Sequence, residues 1–154
     1  MRRGQSASSS VNGIVSSNDI MARSAPEVCG QPMVVQTGQV MYPWLLVKLS
    51  HALPASDTFS ATAALFDCHG QQATGYLDGN RNVSGRPYLD EGNSDLYFLF
   101  DALTIRTPGT WRIQVSINQF NFSLVAQSIG SVMTAPICVV DQPVSYEEYR
   151  EYTI

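Results

Sequence analysis

Cysteine and histidine are the residues of this sequence that could bind a transition metal. They are few and widely spaced: Cys29, His51, Cys68, His69 and Cys138. Zinc fingers supply their ligands as pairs separated by a few residues, and no such pair occurs here. Cys68 and His69 are adjacent, so on an extended strand they would point to opposite faces. We therefore expect turn and core roles for these residues, with reduced, buried thiols and no metal or other cofactor.

Oxygen-bearing side chains suggest two further kinds of site, and neither is complete. Glu91, Asn93 and Asp95 alternate as ligands do in a calcium-binding loop, but Leu96 stands where such a loop needs glycine. Ser94 lies beside Asp95 without a nearby histidine, and the chain contains no G-x-S-x-G, metalloprotease or phosphate-binding glycine motif. The sequence predicts a solvated loop and a protein that is not an enzyme. A triad assembled only in three dimensions is the remaining alternative.

Cationic side chains are the better candidates for a functional contact. Those that could bind nucleic-acid phosphates are Arg106, Arg112, Lys48 and Arg86. Arg106 and Arg112 flank a turn at 107–110, where the competing interpretation is a solvated strand edge or an ion pair with Asp101. Lys48 interrupts an apolar segment, so its amine is expected to reach water at a sheet edge. Arg86 lies in a polar loop whose acids favour local neutralisation: Asp78, Asp90, Glu91 and Asp95.

The charge balance argues against nonspecific binding to polyanions. Among 154 residues, nine Lys and Arg face thirteen Asp and Glu, a net charge of −4. A nucleic-acid contact would therefore need a local patch or a partner's charge. Free thiols fit the cytosol or nucleus. No apolar run approaches the about 20 residues that span a bilayer, so we expect no membrane contact.

Short strand-like segments separated by turn residues must position these side chains. The predicted strands are residues 33–35, 44–49, 59–66, 74–77, 96–100, 111–117, 122–126 and 137–140. Residues 44–49 and 96–100 are nearly all apolar, which predicts burial on both faces, whereas 111–117 alternate as a half-buried strand does. Residues 78–94 predict a long loop. The pattern favours an all-β, antiparallel sandwich of immunoglobulin-like or jelly-roll topology.

The same segments predict a domain organisation and a core. We expect a disordered Ser-rich tail at 1–25, the sandwich at 26–145 and an acidic, aromatic tail at 146–154. Segments 96–100 and 111–117 should be neighbouring strands in the middle of the double layer. The aromatic core candidates are Trp44, Phe98, Phe100, Trp111 and Phe122.

The central segment resembles the fungal velvet domain. In that family an apolar strand leads into D-L-S-(V/I)-R-x-x-G-x-(Y/W)-R, and the counterpart here runs from Asp101 to Arg112 with Ala102 inserted at the second place. The flanks are also similar: P-E-V-C-G at 26–30 resembles the family's R-x-C-G element without its arginine. The segment 134–140 resembles the closing S-x-P-F-x-V strand. The resemblance covers residues 26–145.

This resemblance implies a function and a set of partners. Velvet proteins are nuclear and cytoplasmic regulators of fungal development, sporulation and secondary metabolism. Their β-sandwich is similar to the Rel/NF-κB DNA-binding domain, they dimerise with other velvet-domain proteins, and several bind promoter DNA. A stand-alone sandwich module that binds a peptide or carbohydrate is the alternative.

One departure from the family pattern bears on DNA binding. Family members that bind DNA carry Lys and Arg between the C-G element and the following Pro-rich strand, whereas residues 31–42 contain neither. Phosphate contacts supply most nonspecific affinity, so their loss should weaken DNA binding by orders of magnitude. The resemblance thus implies a dimerising protein whose DNA contact is weak or supplied by its partner.

Overall fold

The computed structural model describes residues 25–50, 58–87, 95–120 and 126–144, and in these ranges the chain forms strands and no helix. No helix that could span a membrane is therefore found among them. The predicted tails lie outside these ranges, apart from Ala25. The strands are β1 (Glu27–Gly30), β2 (Val34–Gln36), β3 (Leu45–Leu49), β4 (Thr58–Phe66), β5 (Leu77–Gly79), β6 (Asn82–Ser84), β7 (Arg86–Pro87), β8 (Leu96–Phe100), β9 (Leu103–Ile105), β10 (Gly109–Phe120), β11 (Ala126–Met133) and β12 (Ile137–Val140).

These strands form three sheets. A four-stranded antiparallel sheet has the order β1-β3-β8-β7. A larger sheet has the order β2-β12-β10-β4-β6 and curls into a half-barrel, while β5 and β9 pair separately. The long β10 serves as its centre: one edge pairs with β4, and the other pairs first with β12 and then with β11. The pairing of β2 with β12 is parallel.

The core receives one face of β3, β4, β8 and β10, because alternate residues of a strand point the same way. In the four-stranded sheet the inward side chains are those of Leu45, Val47, Leu49, Phe98 and Phe100. In the larger sheet they include Ala61, Ala63, Leu65, Ile113, Val115 and Ile117. Each large buried side chain stabilises the fold by about 1.5–3 kcal/mol relative to exposure. The predicted all-β, sandwich-like character is confirmed.

Two-sided burial of the most apolar strands was a wrong expectation. In β3 the side chains of Leu46 and Lys48 are half-buried on the side away from the core. In β8 the side chain of Leu99 is 37% exposed, although Phe98 and Phe100 are fully buried. An apolar run therefore indicates a strand here, but the second apolar face is not covered by the described chain.

The region around residues 74–94 also differs from the prediction. Only the last residue of the predicted strand at 74–77 is in a strand: residues 74–76 form a turn in which Gly75 adopts a φ of +93°, and β5 begins at Leu77. Gly79 ends β5 at a φ of +100°, and a Cβ there would lie 1.7 Å from the carbonyl oxygen of Ala102. The predicted loop at 78–94 contains β6 and β7 in its described part, while 88–94 lie outside the described residues.

Strand neighbours and several core assignments need correction as well. Segments 96–100 and 111–117 are not paired neighbours, because β8 and β10 lie in different sheets. Trp44 is 44% exposed and Trp111 is half-buried. The burial expected for the thiols is wrong too: all three cysteines are free and exposed. Phe122 lies outside the described residues.

Candidate functional site

The structure brings together two of the four predicted phosphate-binding residues. Lys48 on β3 and Arg86 on β7 are both registered with Tyr97 of β8, one on each side. They therefore lie two strand spacings apart, about 10 Å, on one face of the four-stranded sheet. Arg106 and Arg112 lie elsewhere, after β9 and within β10.

Lys48 is engaged by an acid of the neighbouring strand. Its Nζ lies 3.3 Å from Oε1 of Glu27, which is the residue registered with it on β1. The hydrogen bond and charge of Glu27 raise the pKa of the Lys48 amine. Lys48 was expected at a sheet edge, but β3 lies between β1 and β8. Its amine is thus neutralised locally instead of projecting freely from an edge.

Arg106 is held at the small two-stranded sheet. Its Nε lies 2.6 Å from Oδ2 of Asp78, and its Nη2 donates a hydrogen bond to the carbonyl oxygen of Gly75. The backbone N–H of Arg106 donates to the carbonyl oxygen of Tyr76. Asp101, the partner expected from the sequence, is not the acid that pairs with Arg106. The guanidinium therefore joins two segments of the fold: β9, which ends just before Arg106, and β5, which carries Asp78.

Arg86 lies beside a polar cleft of about 330 Å³. The cleft is lined by Asn80, Asn82, Val83, Ser84, Arg86, Leu99 and Asp101. The carboxylate of Asp101 therefore shares with Arg86 a cleft whose other polar groups are uncharged. This arrangement lowers the positive potential that Arg86 alone would give the cleft.

Arg112 is exposed on β10 and forms no ion pair with another described residue. The preceding residue, Trp111, is held by its own turn, because its indole N–H donates to the carbonyl oxygen of Thr107 at 3.2 Å. The ring of Tyr76 lies against it, with centroids 6.4 Å apart and planes tilted by 33°. This aromatic pair and Arg106 border the same end of the fold.

Residues 31–42, where the family pattern expects cations, are built into the fold. The side chain of Gln31 is fully buried: its Nε2 donates to the carbonyl oxygens of Pro32 and Ala135, and its Oε1 accepts from the N–H of Ala135 at 2.8 Å. Strand β2 pairs with β12, and Met41 is buried. This segment therefore fastens the chain across the larger sheet instead of presenting a free loop.

Positive charge does not accumulate in the part of the chain that the structure describes. Its cations are Lys48, Arg81, Arg86, Arg106 and Arg112, and its acids are Glu27, Asp67, Asp78, Asp95, Asp101 and Asp141. Two of these cations are paired with acids, as shown above. The same residues contain no cluster of three or more metal-ligating side chains. His51, Glu91, Asn93 and Ser94 lie outside the described ranges.

Sequence reasoning missed a partly exposed surface of mixed apolar and charged side chains on the four-stranded sheet. We define the outer face as the side of this sheet away from the core, carrying Glu27, Leu46, Lys48, Arg86, Tyr97 and Leu99. Trp44 extends it at the start of β3, and its ring meets Tyr42 edge-on with centroids 5.9 Å apart. The signal in the sequence was Lys48 and Tyr97, which interrupt the apolar runs at positions that alternate with the buried residues of β3 and β8. It was overlooked because an apolar run was equated with two-sided burial.

No family model and no curated protein matches this chain.

Proposed function

We propose that the chain is a velvet-like transcriptional regulator of fungal development, sporulation and secondary metabolism that acts by dimerisation. Its DNA contact is weak or is supplied by a more basic velvet-domain partner. In this proposal the β-sandwich has the immunoglobulin-like topology of the Rel/NF-κB DNA-binding domain, and the protein works in the nucleus and cytoplasm. The resemblance of residues 101–112 to the velvet centre supports the family.

The observation that carries the proposal is the disposition of charge. Lys48 and Arg106 are paired with Glu27 and Asp78, and the 31–42 segment is fastened into the fold without a cation. Such a surface provides few phosphate contacts, so it supports weak DNA binding. The exposed apolar residues of the outer face support a protein partner instead.

Fluorescence anisotropy with promoter-length duplexes tests this function. The chain alone should bind weakly with a shallow salt dependence, since each phosphate contact contributes a slope of about −0.9 in log affinity against log salt. Addition of a basic velvet-domain partner should raise the affinity. Strong, steeply salt-dependent DNA binding by the chain alone would contradict the proposal that its DNA contact is weak. Failure to pair with any velvet-domain protein would contradict its proposed role as a velvet-like regulator.

A gain-of-binding variant sharpens this test. Gln39 and Val40 are exposed in the 31–42 segment, so Gln39→Lys/Val40→Arg restores two cations without disturbing Gln31 or Met41. We expect tighter DNA binding. The slope of log affinity against log salt should also become steeper, by about 0.9 for each of up to two added phosphate contacts. Gln39→Ser/Val40→Thr is the matched uncharged control and should bind as the wild type does.

A binding module for carbohydrate or peptide is the second candidate, and the Tyr76–Trp111 pair favours it. Tyr76 is exposed beside the Trp111 ring, and the Arg106–Asp78 pair offers charged hydrogen-bonding groups nearby. Aromatic faces with such neighbours stack on sugars or apolar peptide side chains. A glycan and peptide array probed with wild type and Tyr76→Ala would reveal this activity, and loss of array binding in the variant would favour the module.

A further inference from the structure

We propose that the outer face of the four-stranded sheet binds a second copy of this chain, giving a symmetric face-to-face dimer. The inference deepens the proposed function, because it names the surface and the partner through which dimerisation occurs. It is drawn from the strand register of the sheet and from the order of charged and apolar side chains across it.

One row of the outer face is complementary to its own reverse. Read from β1 to β7, the registered side chains are Glu27, Lys48, Tyr97 and Arg86. A two-fold axis parallel to the strands and midway between β3 and β8 reverses this order in the second copy. Glu27 then faces Arg86 of the second copy, and Lys48 faces Tyr97 of the second copy. Each contact occurs twice, as an isologous interface requires.

The contacts in this row are chemically matched. A carboxylate meets a guanidinium, which is the most favourable planar pairing among side chains. An ammonium group meets an aromatic ring, whose face attracts cations. The Glu27 side chain is 61% exposed, so it can reach a second cation while it remains beside Lys48. With the order of the row reversed in the second copy, no two like charges face one another within this row.

The next row is apolar and maps onto itself. Leu46 and Leu99 are registered on adjacent strands, and both point away from the core. The same axis places Leu46 over Leu99 of the second copy, so four leucines meet at the centre of the contact. Trp44 of the second copy then falls near the cleft lined by Leu99, Asp101 and Arg86, where an aromatic anchor can be buried.

The size of the face sets the expected strength. Four strands spaced by about 4.8 Å, of which the longest have five residues and β7 has two, cover at most roughly 300 Å² per copy, well below the ~800 Å² per partner of a standard interface. An interface of this size belongs to the weak, transient class, so the dimer is expected to form only toward the upper end of the concentration series. Self-association should depend on concentration and weaken with salt.

A charge-exchange experiment tests the pairing directly. Sedimentation velocity is run from micromolar to near-millimolar concentration on the wild type, Glu27→Arg, Arg86→Glu and a 1:1 mixture of the two variants. Each variant alone places like charges opposite one another twice, so its self-association should weaken at least tenfold. The mixture restores both opposite-charge contacts between unlike copies and should associate at least as tightly as the wild type.

Two matched controls separate this mechanism from general effects. Glu27→Gln removes the Lys48 partner without reversing charge, so it should weaken association less than Glu27→Arg. Arg112→Glu makes the same charge change as Arg86→Glu but lies on the larger sheet, and it should associate as the wild type does. Thermal unfolding monitored by circular dichroism verifies that every variant is folded. If Glu27→Arg fails to fold, Leu99→Glu replaces it as the single disrupting variant and should likewise weaken self-association at least tenfold, because it places a carboxylate against Leu46 of the second copy.

The outcomes distinguish this inference from the proposed function. A wild type that stays monomeric at all concentrations, or a mixture no tighter than its components, overturns the face-to-face dimer. The proposed function survives that result if the chain still pairs with a basic velvet-domain protein. A dimer with the expected charge exchange that binds no velvet-domain protein and no DNA supports the interface and contradicts the regulator.

Discussion

The two main sheets share a common inner design and have different outer sides. Both send alternate apolar residues into the core. The outer side of the larger sheet is polar and uncharged in its middle, with Ser116 opposite Thr62 and Asn118 opposite Ser60, and it carries Arg112 opposite Phe66 toward one end of β10. The outer face of the four-stranded sheet instead carries leucines, aromatic rings and charges of both signs. Strand pairing makes similar demands on both sheets, so it is the outer residues that distinguish them, and the proposed dimer uses the face richer in leucines and charges.

Two glutamines of the 31–42 segment, one buried and one exposed, make a second contrast. Gln31 is buried with both atoms of its amide bonded to the backbone, although glutamine is usually a surface residue. Gln39, a few residues on, is exposed. The same residue type therefore stabilises the fold at one position and is solvated at the other, and substitution separates the two roles.

The largest effect is expected where inner and outer faces meet on one strand. Phe98→Ala should lower the free energy of unfolding by about 3–5 kcal/mol, because it removes a fully buried ring. Leu99→Ala, its neighbour on β8, should lower it by less than about 1 kcal/mol. Urea unfolding monitored by tryptophan fluorescence measures both. Equal losses would contradict the outward orientation of Leu99.

Replacement of the buried amide is expected to rank second. Gln31→Ala should destabilise the protein by about 1–3 kcal/mol, since the N–H of Ala135 loses its acceptor and a cavity is left. Gln39→Ala is the matched control and should change stability by no more than about 0.5 kcal/mol. Thermal unfolding compares them. If Gln31→Ala left the stability unchanged, the hydrogen bonds of this side chain would not be what holds the 31–42 segment in the fold.

Insertion of a lysine into each outer side tests the contrast between the sheets. Leu46→Lys should weaken self-association at least tenfold, about 1.4 kcal/mol, because it sets an ammonium group of each copy against Leu99 of the other at the centre of the proposed contact. Ser116→Lys, on the larger sheet, should change it by less than about twofold. Light scattering over a concentration series gives the ratio of the dimer dissociation constants of each variant and the wild type. A stronger effect of Ser116→Lys would assign the contact to the larger sheet.

The smallest expected effect concerns a carboxylate stabilised by the backbone. Asp67 accepts hydrogen bonds from the N–H groups of Gln71 and His69, which lower the pKa of its carboxyl below the ordinary value. The pKa of Asp67 is lower in the folded protein than in the unfolded chain. The hydrogen bonds therefore stabilise the fold at pH values above the unfolded-state pKa, and this stabilisation is lost as the pH falls through the folded-state pKa. In Asp67→Asn, the free energy of unfolding should therefore decrease less steeply than in the wild type as the pH falls below about 5.

Chemical unfolding at a series of acidic pH values measures this change. Asp141→Asn, which removes an exposed carboxylate after β12, is the matched comparison. An Asp67→Asn protein whose stability falls with acid as steeply as that of the wild type would contradict the turn's contribution.

Local pattern was sufficient to predict most of the strands. The alternation of residues 111–117 predicted the centre of β10, and segments 59–66 and 137–140 correspond to β4 and β12. Pattern was not sufficient at 74–77, because a positive φ at Gly75 is a turn feature that apolar neighbours conceal. It also misplaced Trp44, since burial depends on which elements cover a strand.

The candidate site was predictable in its residue types and not in its contacts. Lys48, Arg86, Arg106 and Arg112 were identified as exposed cations, but their neighbours come from distant parts of the chain. Glu27 reaches Lys48 through the pairing of β1 with β3, and Asp78 reaches Arg106 through β5 and β9. Neither partner follows from sequence spacing.

The sequence by itself determined the all-β class, most strand positions and the acidic balance of charge, because these follow from residue type and short-range periodicity. The tertiary structure decided which side of each apolar strand is covered, which cations are neutralised and which residues form one row across the four-stranded sheet. Those properties depend on strand order and register, which bring residues far apart in the chain within about 5 Å of one another.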